Sequence, residues 1–307
     1  MLCHVLSLGA NADVPAKSVP GLHDYFRFAG IDGLETFSTL AGGGSLSISK
    51  VIASQDGRVT FTERAFSDCS SVLEPLDGKV AFFGLAPNYE VVTRSEKDAL
   101  GPASLARFLE THDFSANVLK CDLEGLDGSF CLSFLDNAPE LDLVQMELRF
   151  EEFYKGELPL HEVVAKMRAL GFEVIKCKTE DWKPAFGRGG ASENAPPIGG
   201  VTAYADVIFA RSSVLHLHET EDLPVDRATR FVLGLLWLGL YSVAARQLAY
   251  FDQHIPVETQ TLLSERMWYF SRRRRRQRFI KRLLMPLVLV RRRFIAHNHF
   301  LRHVIME

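Results

Sequence analysis

Two carboxylates stand close together in Asn117-Val118-Leu119-Lys120-Cys121-Asp122-Leu123-Glu124-Gly125, where an apolar run gives way to Asp122, Glu124 and a glycine before a helical pattern begins at Phe130. In an open α/β sheet a strand that ends this way delivers its acids to the carboxyl edge, where ligands bind. Strand side chains alternate with a period of two, so Asp122 and Glu124 are expected on one face of the strand end. Acids there suit cation binding, recognition of ribose or an ammonium group, or proton transfer. A solvated strand-to-helix turn, with the acids near a helix N-terminus, accounts for the same residues. His4 to Leu8 reads as a short buried strand running into Gly9-Ala10-Asn11, a loop with room for a ligand against its backbone, although any tight turn can use such residues. Tyr25 to Ile31 reads as a second strand ending at Asp32. A carboxylate at that position can accept hydrogen bonds from both hydroxyls of a ribose, or it can cap a helix that starts at Gly33.

The elements that must carry these residues alternate. A short helix is expected over residues 20–26, and two strands at 46–53 and 58–62 are joined by Asp56-Gly57, a hairpin signal. Residues 66–75 are polar and rich in hydroxyls, a loop that either lines a pocket or connects elements. A strand at 91–94 and a helix at 102–111 follow, then a strand at 141–150 and a helix at 158–170 that stops at Gly171. Strands at 172–177 and 203–210 flank a Gly- and Pro-rich loop at 183–200. Such alternation predicts a mostly parallel α/β sheet up to about Arg211. From Val225 the pattern turns helical, and the apolar helix expected over 225–251 packs on the main domain or on a second copy in a homo-oligomer. The expected division is therefore 1–211 and a helical extension, 212–307.

The chain's formal charge of -3 hides an asymmetry. Residues 271–307 hold eleven Arg and one Lys against one Glu, a net of +11, which leaves -14 on the rest. An acidic body with a basic tail implies a polyanionic partner. Arg272 to Arg276 and Arg291 to Arg293 flank the apolar run Leu283 to Val290, which favours an anionic membrane surface over nucleic acid; packing on the acidic body is the alternative. His297, His299 and His303 have no Asp or Cys nearby, so no metal is expected there. Five scattered cysteines without metal-ligand spacing point to a reducing compartment. The first eight residues lack a charged lead, and the apolar run 231–245 is shorter than the ~18–20 residues that span a bilayer. The expected location is the cytoplasm, against the inner face of the membrane.

Taken in order, several of these pieces resemble the FkbM-type, S-adenosylmethionine-dependent methyltransferases over roughly residues 4–211. Leu8-Gly9-Ala10-Asn11 is similar to the family's first-strand turn, Gly30-Ile31-Asp32 to its second strand end, and Cys69 to Pro75 to its Ser-Ser loop. Leu119 to Asp127 resembles its most diagnostic block, and Gln145 to Gly156 with Gly171 to Val174 its later strand and helix. The resemblance implies a class I fold: a doubly wound, mixed sheet of seven strands with S-adenosylmethionine over its carboxyl edge. It implies that Gly9, Ala10 and Asn11 let the cofactor approach, that Asp32 holds the ribose, and that Asp122, with Lys120 and Glu124, shapes the catalytic edge. The implied activity is O-methylation of a hydroxyl on a saccharide or secondary metabolite, such as a cell-envelope glycan precursor. Three departures stand out: Ser7 replaces an acid, Asp13 replaces a second glycine, and Asp32-Gly33 replaces acid-proline. A binding or scaffold protein that keeps the fold without catalysis fits the same departures. The acidic body and the lack of an Asn/Asp-Pro-Pro-aromatic pattern disfavour a nucleic-acid acceptor.

Overall fold

The computed structural model of the chain describes residues 2–9, 22–32, 46–182, 200–216, 223–251, 255–265, 267, 268 and 272. β1 (Cys3–Leu8), β2 (Phe26–Asp32) and β3 (Leu46–Ser49) come first, with only a 3₁₀ turn at His23–Tyr25 in place of the short helix expected there. An excursion follows: β4 (Val51–Ile52), β5 (Gly57–Arg64), α1 (Asp77–Phe82), α2 (Ala86–Tyr89) and β6 (Val91–Leu100). The alternating part resumes with α3 (Pro102–Thr111), β7 (Val118–Cys121), α4 (Asp127–Leu135), β8 (Leu143–Arg149) and α5 (Leu160–Ala169). β9 (Phe172–Trp182), β10 (Val201–Arg211), α6 (Ser212–Leu215), α7 (Val225–Trp237) and α8 (Tyr241–Tyr250) complete it.

Among the described residues, seven strands form one sheet in the order β3-β2-β1-β7-β8-β10-β9. β10 runs antiparallel to both of its neighbours, and the pairs among β3, β2, β1, β7 and β8 are all parallel. This is the expected doubly wound, mixed α/β sheet of the class I methyltransferase-like kind. The period of two divides its core. Leu6, Leu8, Leu119 and Cys121 face the side covered by α3, α4 and α5, whereas Val5, Val118 and Leu143 face α7 and α8.

The apolar run at 225–251 is taken up inside the chain's own fold. It is two helices rather than the single one expected, with a turn through Leu238–Leu240. Gly234 brings α7 onto the sheet: a Cβ there would lie 2.6 Å from Val118 Cγ2 and 2.7 Å from Leu143 Cδ1. At the amino edge, the buried Asp142 accepts hydrogen bonds from Arg227 at 2.7 and 3.0 Å and from Arg211 at 3.2 Å. Sheet and extension therefore share one core.

The hairpin expected around Asp56-Gly57 does not form. β4 and β5 pair with β6, which lies between them in a separate three-stranded sheet. Asp56 serves α3 instead, its carboxylate accepting from Gly101 N–H at 2.8 Å and Ser104 Oγ at 2.6 Å. The Ser104 bond, then the Gly101 bond, hold the exposed Asp56 carboxyl below the usual range. Ala10, Asn11, Asp13, the loop at 183–199 and the Arg-rich segment beyond Arg272 lie outside the described residues. Among the described residues no helix is long and apolar enough to cross a membrane.

Candidate active site

A cavity of about 420 Å³ opens over the carboxyl edge of the sheet, within the size range of small-molecule sites. Crossing the sheet, it is lined by Asp32 from β2, Gly9 just past β1, Lys120 from β7 and Asp122 just past it, Glu147 and Arg149 from β8, Tyr204 from β10 and Trp182 from β9. Adjacent strands are ~4.8 Å apart, so Asp32 and Glu147, three strands apart, are separated by roughly 14 Å. The excursion closes the other side with Val51, Ile52, Phe61, residues 66–72, Leu85 and Tyr89. The hydroxyl-rich loop is thus a wall of the pocket.

Gly9 is at φ +67°, and a Cβ there would fall 1.7 Å from the carbonyl oxygen of Asp122. Glycine is therefore required for β1 and the end of β7 to converge at the cavity floor. The two are tied by the Asp122 N–H, which donates to the Leu8 carbonyl at 3.2 Å. Asp32 closes β2 and is 9% exposed, so its carboxylate sits at the cavity wall rather than in open solvent.

Strand β7 ends at Cys121, so the alternation expected to align Asp122 with Glu124 does not operate. Glu124 instead lies in a turn, at φ +49°. Both acids reach the cavity by different routes and with different partners. Lys120 Nζ donates to Asp122 Oδ2 at 2.9 Å. Glu124 Oε2 accepts from Arg149 Nη2 at 2.8 Å and from Tyr154 Oη at 2.9 Å, while its carbonyl accepts from Ser71 Oγ at 2.9 Å.

Arg149 is the centre of this network, and the residue-type reading missed it. Its guanidinium also donates to Glu157 at 3.1 Å and to Glu147 at 3.2 Å, and lies 4.9 Å from the Tyr154 ring centroid. Glu157 in turn accepts the backbone N–H groups of Phe153 and Tyr154, both at 3.0 Å. The alternation Glu147-Leu148-Arg149 inside a largely apolar strand is the signal that identifies these residues, since the period of two turns both charged side chains away from Met146 and Leu148 in the core.

Electrostatics separates the acids. Burial pushes the Glu124 carboxyl up to about 6, against the opposing pull of Arg149. Burial pushes Glu147 further, to about 9, with Glu124, Asp122 and Asp127 adding to the rise and Arg149 opposing it. Asp127, at the start of α4, is fully buried and raised to about 8 by burial and then by Asp122, while its Oδ1 accepts the Leu123 N–H at 3.1 Å. Arg149 is held firmly protonated by its carboxylates, which outweigh burial. A chain of hydroxyls extends from Glu124 through Tyr154 to Tyr89, whose oxygens are 3.1 Å apart.

The lining holds Asp32, Asp68, Asp122 and Glu124 against Lys50, Lys120 and Arg149, with Glu147 as a fifth acid that a cation can draw into its charged form, a balance that favours a cationic ligand. Ile31, Val51 and Ile52 make its β2 end apolar, and Trp182 and Tyr204 present flat faces for stacking at its β9 end.

No protein-family signature matches the chain, and no curated protein matches it. Among solved structures it is similar to a presumptive methyltransferase from Thermoplasma acidophilum, 9% identical over 69% of this chain and 69% of that one, with a TM-score of 0.31. It is also similar to a protein of the NADB-Rossmann superfamily from Streptococcus agalactiae, 10% identical over 87% of this chain and 88% of the other, with a TM-score of 0.28. Likenesses this distant transfer no residue role. The fold assignment rests on the strand order and the reversed β10.

Proposed function

We propose that the protein is an FkbM-type, S-adenosylmethionine-dependent O-methyltransferase acting on a hydroxyl of a saccharide or another secondary metabolite. The observation that carries this reading is one cavity, over the carboxyl edge, that joins Asp32 at the end of β2 to the Asp122–Glu147 group at the ends of β7 and β8.

The residues present fit the cofactor. Asp32 can accept hydrogen bonds from both ribose hydroxyls, Ile31, Val51, Ile52 and Val72 offer an apolar bed for a purine, and the acid excess suits a sulfonium and an ammonium group. S-adenosylmethionine, when bound, supplies a methyl group already activated for displacement. The protein's share is alignment, worth several orders of magnitude in rate when reacting atoms are held in line. Lys120 and Arg149 fix the Asp122 and Glu124 carboxylates, so this edge is rigid before any ligand arrives. Asp122 can hold the ammonium group or receive the acceptor's proton. Tyr89, Trp182 and Tyr204 flank the far half, where flat sugar or ring faces can stack.

Calorimetric titration with S-adenosylmethionine and S-adenosylhomocysteine tests this reading, alongside Asp32→Ala and Asp122→Ala. Micromolar binding that weakens in both variants supports it. One observation favours a second reading, a non-catalytic binding protein: Ser7, which stands where the family carries an acid, is fully buried and its hydroxyl has no partner among the described residues. A folded protein that ignores millimolar cofactor selects that alternative.

The Arg-rich segment completes the proposal as a peripheral anchor on an anionic membrane surface at the cytoplasmic face.

A further inference from the structure

Resting on the methyl-transfer reading, we propose that Glu147 is the catalytic carboxylate that faces the acceptor hydroxyl and takes its proton. Of the three acids at the middle of the cavity, two carry short contacts to cations, although Asp122, with one such contact, keeps its side chain 34% exposed. Glu124 is closed by Arg149 at 2.8 Å and Tyr154 at 2.9 Å, and Asp122 is held by Lys120 at 2.9 Å. Glu147 makes a single, longer contact, from Arg149 to Oε1 at 3.2 Å, and its side chain remains 23% exposed to the cavity. Its second oxygen has no hydrogen-bond partner among the described residues and is available to a ligand.

Position supports the same assignment. The register of β7 on β8 pairs Cys121 with Met146, so Glu147 stands beside Asp122 at the strand ends. On its other side β10 pairs Asp206 with Glu147 and Tyr204 with Arg149. Glu147 thus lies between the half of the cavity that contains Asp32 and the half walled by Tyr204 and Trp182. On the methyl-transfer reading, that is the boundary where a cofactor's methyl and an acceptor oxygen would meet.

The charges around Glu147 decide when it works. Arg149 faces it from its own strand, Lys120 and Asp122 from β7 and its end, Glu124 and Asp127 from the turn and α4, and Tyr204 and Asp206 from β10. Burial and the neighbouring acids raise its carboxyl to about 9, so it rests protonated at neutral pH. A sulfonium cation placed beside it favours the ionised form, and the displaced proton goes to solvent. In the transfer, a lone pair of the acceptor oxygen forms the new O–CH₃ bond while the S–CH₃ bond breaks and leaves its electron pair on sulfur. The hydroxyl proton passes to Glu147 and restores its protonated resting state, and the next sulfonium cation to bind expels it to solvent.

Titration calorimetry of the full chain with S-adenosylmethionine, in two neutral buffers of different ionisation enthalpy, counts the protons exchanged on binding. The expected result is release of close to one proton by the wild type and almost none by Glu147→Gln, with both proteins binding the cofactor. The wild-type affinity should also rise with pH, approaching tenfold per unit, and level off near pH 9; Glu147→Gln should be flat. S-adenosylhomocysteine, which lacks the sulfonium charge, should give a shallower rise. Cofactor binding without proton release, or with the same release in Glu147→Gln, overturns the role of Glu147 and leaves the methyltransferase reading intact. A folded wild type that binds no S-adenosylmethionine overturns both. The wild-type pH series needs no variant, so it decides the matter even where Glu147→Gln fails to fold.

Discussion

Asp32, Asp122 and Glu147 all line the cavity, yet only the first two were legible in the sequence. Asp32 and Asp122 each follow an apolar run and precede a glycine or a turn, a local pattern that marks a carboxyl edge. Glu147 lies within a strand, and its importance comes from burial, from Arg149 and from acids in the turn after β7 and at the start of α4, which no window of sequence brings together. Glu124 was found for the wrong geometric reason, since a turn rather than strand alternation carries it. Removing the Asp32 carboxylate should weaken S-adenosylmethionine binding by ten- to a hundredfold, because a hydrogen bond to a charged group contributes ~1.5–3 kcal/mol; calorimetry reads this directly, with an unchanged circular dichroism spectrum. Arg149→Leu should destabilise the protein by about 3–5 kcal/mol, as it strands the buried Glu157 and Glu124 without their cation; urea denaturation measures the loss. Glu124, Asp127 and Glu147 all have raised carboxyls in the fold, at about 6, 8 and 9. The folded state therefore holds these protons more tightly than the unfolded chain does. Their contribution to stability is full below the ordinary carboxyl range and is lost as pH rises toward 9. Denaturation at a series of pH values should show that decline, and Asp127→Asn, which can keep the Leu123 N–H bond, should flatten it.

Among the elements, α3, α5, β8 and β10 were readable because their apolar spacing is strong and their ends carry recognisable residues. The excursion was not. Asp56-Gly57 is a local hairpin signal, whereas the strand that pairs with both β4 and β5 is β6, more than thirty residues later. Periodicity also says that α7 has an apolar face without saying what covers it. The answer is the sheet itself, through Gly234 against Val118 and Leu143. Gly234→Val should cost about 2–4 kcal/mol, since overpacking a close helix–sheet contact forces backbone shifts, and thermal melting should register it. A chain ended after β10 should fail to fold for the same reason, because Val5, Val118, Leu143 and Ile208 would lose the helices that bury them. Soluble expression with cooperative unfolding of such a fragment would contradict that account.

At the scale of the whole molecule, the ordered resemblance foresaw the seven-stranded mixed sheet, while tertiary packing decided between the two coverings that the sequence left open for the C-terminal apolar run, in favour of the chain's own sheet. The separation of charge, +11 on residues 271–307 and -14 elsewhere, predicts salt-sensitive binding to vesicles containing phosphatidylserine. Sedimentation with such vesicles should be lost in high salt and in a chain lacking those residues. The central claim is that the cavity holds S-adenosylmethionine with Asp32 on its ribose. Calorimetric titration of the wild type beside Asp32→Ala is its most direct test: the account predicts micromolar binding, weakened at least tenfold by the substitution. No binding by a folded wild type at millimolar cofactor, or equal binding by both proteins, would contradict it.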